Sequence, residues 1–90
     1  MKILRYTTQY RKDFKRYRNQ PDKLQKLLEV FRLLENEEVL PKELRAHKLM
    51  GQYKDCMECH IEGDFLLIWF DKHSDVIEII RIGSHSEIFK

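Results

Sequence analysis

Ninety residues, 42% hydrophobic and 36% charged, suit one domain (residues 1–90) with a single core and a strongly solvated surface, and exclude a two-core protein. No apolar run approaches the roughly 20 residues that span a bilayer, and the amino terminus returns to charge at Lys2 and Arg5, unlike a signal peptide, so the expected setting is cytoplasmic with no membrane partner. The net charge of +2 is unevenly placed: residues 1–50 carry 13 Lys/Arg against 7 Asp/Glu, and residues 51–90 carry 4 against 8.

Lys2 to Tyr6 reads as a short strand. Thr7-Thr8 then offers an N-cap hydroxyl, and Tyr10, Phe14 and Tyr17 recur at helical spacing as an apolar, core-facing stripe. Opposite it stand Arg11, Lys12, Lys15, Arg16 and Arg18. Such a basic stripe attracts polyanions by counterion release; it equally suits a solvated helix face or a docking site for an acidic protein. Asn19-Gln20-Pro21-Asp22 breaks the helix and starts another, in which Leu24, Leu27, Leu28, Phe31 and Leu34 give the strongest helical period in the chain. Asn36-Glu37-Glu38 and Pro41 end it, and two antiparallel helices joined by a short turn are the simplest reading.

After Gly51 the period changes to two. From Gln52 to Glu62, Met57, Cys59 and Ile61 point one way, and Cys56, Glu58, His60 and Glu62 the other, onto a solvated sheet face. Glu62-Gly63-Asp64 forms a tight turn. Phe65 to Phe70 is apolar on both faces, as in a central strand, and Val76 to Ile82 is the last strand. The order is β-α-α-β-β-β, an α+β class with meander connections in its second half.

Cys56-Met57-Glu58-Cys59-His60 matches the C-x-x-C-H spacing of covalent haem attachment. On a strand, however, residues three apart project to opposite faces, so neither haem, zinc nor a disulfide is expected. Cys59 reads as a small core residue and Cys56 as a thiol near the surface. Glu58 and His60 share a face, as a catalytic pair or as ordinary surface polar groups. Asp64 sits in a turn where Asp is common for local reasons. Arg81 is followed, past Gly83, by His85, and one helical turn would bring His85 beside Phe89, either to clamp a nucleotide or to let Phe89 cap the core. His73 lies in a turn and reads as surface.

With these residues laid out, the chain resembles the RelE/ParE superfamily of bacterial toxins, and within it the YafQ branch. His47-Lys48-Leu49-Met50-Gly51 is similar to the branch's H-x-L-x-G segment. Lys54-Asp55, Glu58-Cys59-His60 and Asp64 are similar to its K-[GD]-x-x-[DE]-x-H-x-x-x-D strand-turn, and Arg81 through Phe89 to its R-x-G-[ST]-H-x-x-x-F ending. Met57 stands where relatives often carry Arg, which strand parity makes a packing difference, and Gly63 where many carry Pro, which loosens the turn holding Asp64.

The resemblance implies a small antiparallel sheet with two N-terminal helices packed on it. It implies a ribosome-dependent endoribonuclease that cuts mRNA in the ribosomal A site, using the RNA 2′-hydroxyl as nucleophile, and a cognate antitoxin that neutralises it; operator DNA would be contacted only through the antitoxin complex. His47, Glu58, His60, Asp64, Arg81, His85 and Phe89 then take the active-site positions, with no metal and no cofactor. His85 is expected as general acid and His60, oriented by Glu58 or Asp64, on the base side, while His47 and Arg81 bind the scissile phosphate. Arg11, Lys12, Lys15, Arg16, Arg18 and Lys54 would grip ribosomal RNA. The competing expectations are a ParE-like toxin that poisons gyrase, which does not use this histidine set, and a non-catalytic RNA- or ribosome-binding module.

Overall fold

The computed structural model describes residues 1–89. The first strand, β1 (Ile3–Tyr6), begins where Lys2 is held by Asp71 at 2.8 Å. Thr7 ends it and starts a helix in one move. Its backbone is extended, its Oγ1 accepts from the Tyr10 N–H at 3.1 Å, and the same hydroxyl donates to the Ile79 carbonyl at 2.8 Å. That cap satisfies one of the helix's orphan donors. Helix α1 (Thr8–Tyr17) buries Tyr10 and Tyr17 and half-buries Phe14, so the aromatic stripe is core. Pro21, pre-set for a first helical position, opens α2 (Pro21–Glu35), which buries Leu27, Val30, Phe31 and Leu34.

One stripe residue is misplaced in the periodic reading. Leu28 is 63% exposed, because it lies about 100° round the helix from Leu27, past the edge of the buried arc. Val30 falls inside that arc instead.

The remaining strands are β2 (His47–Lys48), β3 (Met57–Glu62), β4 (Phe65–Asp71) and β5 (Val76–Gly83), and the chain closes on a single helical turn, α3 (His85–Ile88). The sheet order is β1-β5-β4-β3-β2. β2 to β5 pair antiparallel, but β1 runs parallel to β5, which corrects the expected all-antiparallel sheet. A parallel pair needs a long crossover, and here everything between the two strands supplies it. The alternation from Gln52 also overstated β3. Gly51–Tyr53 is a 3₁₀ turn and Asp55 is left-handed at φ 72°, so the strand starts only at Met57. The two-residue β2, which has no periodic signal, was not expected.

Both faces of the sheet are covered. One carries α1 and α2 over Cys59, Ile61, Phe65, Leu67, Trp69, Ile77, Ile79 and Ile82. On the other, Leu66, Ile68 and Ile88 pack with Leu49, Tyr53, Cys56 and Ile80. This is why β4 is apolar on both sides, and it corrects the expectation that Glu58 lies on a solvated face: Glu58 is only 3% exposed. At Glu62 the expected parity itself fails. Pairing slips between His60 and Glu62, and this bulge re-aims the side chain toward α2, where Lys26 meets it at 2.6 Å and Lys23 at 3.5 Å.

Cys59 is fully buried and its thiol is pushed up to about 12 by burial; the half-buried Cys56 thiol is also raised by burial. Both are free. His73 is exposed in a turn with φ 56°.

Candidate active site

Three of the four histidines meet at one end of the sheet. β2 pairs His47 directly opposite Glu58, and His60 follows two residues along β3. The hairpin turn then brings Asp64 back to the start of α3, where His85 stands. Ring centroids lie 6.4 Å apart for His47–His60, 5.8 Å for His60–His85 and 6.0 Å for His85–Phe89, and Tyr53 packs edge-on against Phe89 at 5.8 Å. Sequence positions 47, 60, 85 and 89 thus form a continuous row of rings. Phe89 is 40% exposed, so part of its ring is open to solvent.

Two carboxylates hold this row. Asp64 Oδ1 accepts from the His85 backbone N–H at 3.0 Å and faces His85 Nδ1 at 2.7 Å. The backbone N–H, then the ring N–H, hold the Asp64 carboxyl below the usual carboxylate range. With Nδ1 donating to Asp64, His85 Nε2 is left as the outward-facing proton site. The expectation was that Asp64 or Glu58 would orient His60; the geometry gives Asp64 to His85.

Glu58 Oε1 lies 3.3 Å from His47 Nε2 and 3.8 Å from His60 Nε2. His47 Nδ1 is 2.7 Å from the Arg45 carbonyl, an acceptor, so Nδ1 carries hydrogen and Nε2 is the atom turned to the carboxylate. Arg45 reaches this geometry in a left-handed conformation, φ 53°. Glu58 Oε2 is buried with no hydrogen-bond partner among the described residues. A buried carboxylate oxygen without a donor costs stability, and such groups concentrate where chemistry needs them.

Arg81 departs from the expected phosphate contact. Its Nε donates to Asp13 Oδ2 at 2.7 Å, Nη2 to Asp13 Oδ1 at 3.1 Å and to the Glu87 carbonyl at 3.5 Å, and Nη1 to the Tyr53 hydroxyl at 3.0 Å. The Asp13 hydrogen bond raises its pKa further. The guanidinium has five N–H groups in all, and its side chain is 12% exposed, so little of it is free for a phosphate.

Among the basic residues, Arg11, Lys12, Lys15, Arg18 and Lys54 are exposed. Arg16 is engaged, with Nη1 3.3 Å from Asp13 and Nε 3.8 Å from Glu87. Asp13, Tyr17, Tyr53 and Glu87 were missed in the sequence reading. Asp13 did leave a signal: a carboxylate within a basic run, three residues after Tyr10 and four before Tyr17, hence on the buried face.

The family model described as "Bacterial toxin of type II toxin-antitoxin system, YafQ" matches residues 2–90. The mRNA interferase toxin YafQ of Escherichia coli (strain K12) is 32% identical over 88 residues, covering 96% of this chain and 94% of that one. A copper-bound mutant toxin from Helicobacter pylori superposes with a TM-score of 0.89 at 34% identity, covering 99% of this chain and all of that one. The E. coli DinJ-YafQ complex contains a chain that superposes with a TM-score of 0.86 at 26% identity, with both chains fully covered. As to the copper, among the described residues of this chain no group of three or more His, Cys, Asp or Glu side chains is set to hold a metal ion. A row of imidazoles on paired carboxylates, a RelE-like fold and a match over nearly the whole length lead to one conclusion: this chain belongs to the YafQ family of bacterial toxins of type II toxin–antitoxin systems.

Proposed function

We propose that the chain is an endoribonuclease toxin, an mRNA interferase that cuts mRNA in the ribosomal A site and is neutralised by a cognate antitoxin. The observation that carries this reading is the convergence of His47, His60 and His85 on two carboxylates, with His60 and His85 only 5.8 Å apart. The 32% identical E. coli relative is an mRNA interferase by name, and the DinJ-bound relative supports an antitoxin partner.

The RNA supplies the nucleophile. The protein must hold the 2′-hydroxyl in line, take its proton, neutralise the phosphorane and protonate the leaving 5′-oxygen. His85, with Nε2 outward, is the general acid. His60, with Glu58 behind it, is on the base side, and Glu58's unpartnered oxygen keeps acceptor capacity beside it. His47, held between Glu58 and the Arg45 carbonyl, binds the scissile phosphate. Phe89 offers a ring face on which a base stacks. Arg81, its charge countered by Asp13, supports the site from behind through the Glu87 carbonyl. The products are a 2′,3′-cyclic phosphate, or the 3′-phosphate from its hydrolysis, and a 5′-hydroxyl. These side chains supply every proton and charge the reaction needs, so a metal-independent reaction is proposed. The exposed cations of α1 and Lys54 grip ribosomal RNA, and the proposed setting is the cytoplasm. Among the described residues, no helix is long and apolar enough to cross a membrane.

Primer extension on cellular mRNA after induction tests the reading. New 5′ ends at in-frame positions are expected with the native chain and not with His85→Ala. A folded His85→Ala variant that cleaves fully would overturn the assignment. Inhibited supercoiling with intact mRNA would favour the gyrase reading, and ribosome binding without cleavage the non-catalytic one.

A further inference from the structure

The reaction proposed above needs His85 and Phe89 held still, yet they sit on a turn of only four residues, too short to be stable by itself. Its support comes from the inner face of α1. Among the described residues, no strand lies on this side of β5 beyond Tyr6, and side chains of the α1 region take its place. The Thr7 hydroxyl donates to the Ile79 and Ile80 carbonyls at 2.8 and 3.2 Å, and Asp13 Oδ2 accepts from the Ile82 N–H at 3.2 Å. Asp13, fully buried, also takes Arg81 in a two-point contact, and Arg81 passes on to the Glu87 carbonyl and the Tyr53 hydroxyl.

A second tie runs in parallel. Glu87 is the N3 residue of α3 and closes a capping box with Ser84, its Oε1 accepting from the Ser84 N–H at 2.8 Å. The same oxygen accepts from the Tyr17 hydroxyl of α1. Gly83 makes room for it: a Cβ there would stand 2.9 Å from Glu87 Oε1, on a backbone at φ 146° that side chains rarely adopt.

We infer that Asp13, Tyr17 and Glu87 are positioning residues. Through Arg81 and the capping box they fasten the His85–Phe89 turn to α1, and Arg81 is a strut in this latch rather than a ligand of the scissile phosphate. The inference rests on the ribonuclease reading for its kinetic consequence but not for its structural one. Residues that fix a catalytic group at a distance act on turnover, since a misplacement of about 1 Å costs on the order of 10²-fold, and they leave intact the ribosome grip of the exposed α1 cations.

The test uses Tyr17→Phe, Glu87→Gln and Arg81→Lys in the full chain, each first shown to be folded by circular dichroism. Single-turnover cleavage on programmed ribosomes and NMR of the His85 imidazole are the two readouts. Tyr17→Phe and Glu87→Gln are expected to lower the cleavage rate by about 10- to 100-fold with ribosome affinity unchanged, and to shift the His85 ring resonances as its contact with Asp64 loosens. Arg81→Lys is expected to lower the rate while leaving the salt dependence of binding as it was. A folded Tyr17→Phe and Glu87→Gln pair with native rates and native His85 resonances would overturn the latch. A salt slope reduced by about one in Arg81→Lys, with an unchanged rate at saturation, would restore the phosphate contact and overturn the strut. If the native chain cleaves nothing, the ribonuclease reading fails instead, and the His85 resonances still decide the latch.

Discussion

Replacing Asp13 by alanine leaves Arg81 as a largely buried cation without its counter-charge. The carboxylate accepts from Arg81 Nε and Nη2, Arg16 Nη1, Gln9 Nε2 and the Ile82 N–H, and it is wholly shielded from water. Breaking one partner out of a buried pair costs about 3–5 kcal/mol. A chain of this size has about 5–13 kcal/mol in all, at roughly 0.05–0.15 kcal/mol per residue, so Asp13→Ala removes about a quarter of the total or more. With about 4–8 °C lost per kcal/mol in domains of 60–100 residues, the melting temperature should fall by at least about 12 °C. Urea unfolding measures the loss directly, as a fall in the midpoint at constant slope. The double variant Asp13→Ala/Arg81→Met should recover most of it, because exchanging both partners for apolar groups removes the desolvated charge. A loss below about 1 kcal/mol for Asp13→Ala, or a double variant no more stable than the single one, would refute the account of this pair.

Glu58→Met should keep or raise stability, by up to about 1 kcal/mol, since it removes an unsatisfied buried oxygen, while cleavage mapped by primer extension is lost. For acid stability, hydrogen bonds from His85 lower Asp64 and the hydrogen bond from Tyr17 lowers Glu87 relative to their ordinary values of 3.8 and 4.5. Folded values below unfolded ones mean that the unfolded chain takes up protons first on acidification, so their stabilisation is complete above those ordinary values and is lost as pH falls through the folded ones. The melting temperature should therefore decline below about pH 4, and Glu87→Gln should make that decline shallower. Cleavage by an EDTA-treated toxin, on ribosomes supplied separately with their magnesium, should be undiminished; a requirement for an added ion at the toxin would count against side-chain catalysis. Replacing Arg11, Lys12, Lys15 and Arg18 by Gln should weaken ribosome binding and flatten its salt dependence while sparing single-turnover cleavage of bound complexes.

Much of the architecture is written in local pattern. The α1 and α2 stripes, the Thr7 cap, the Pro21 start and the central β4 strand each follow from residues within one or two turns or one hairpin of each other, where side-chain period and backbone preference act directly. The motif positions His47, His60, Asp64, His85 and Phe89 could be singled out for a similar reason, since their residue types are suited to proton transfer and stacking whatever surrounds them. What the linear pattern could not contain is which side of the sheet receives cover, because that depends on loops. Glu58 reads as solvated by parity and is buried because residues 49–56 and α3 fold over its face. Glu62 turns toward α2 because a bulge intervenes. Arg81 reads as a phosphate ligand and finds its partner 68 residues away in Asp13. The direction of β1 and the pairing of His85 with Asp64 belong to the same class. Periodicity is a property of neighbours in the chain, whereas burial and charge pairing are properties of neighbours in space, and those are decided only when the elements pack.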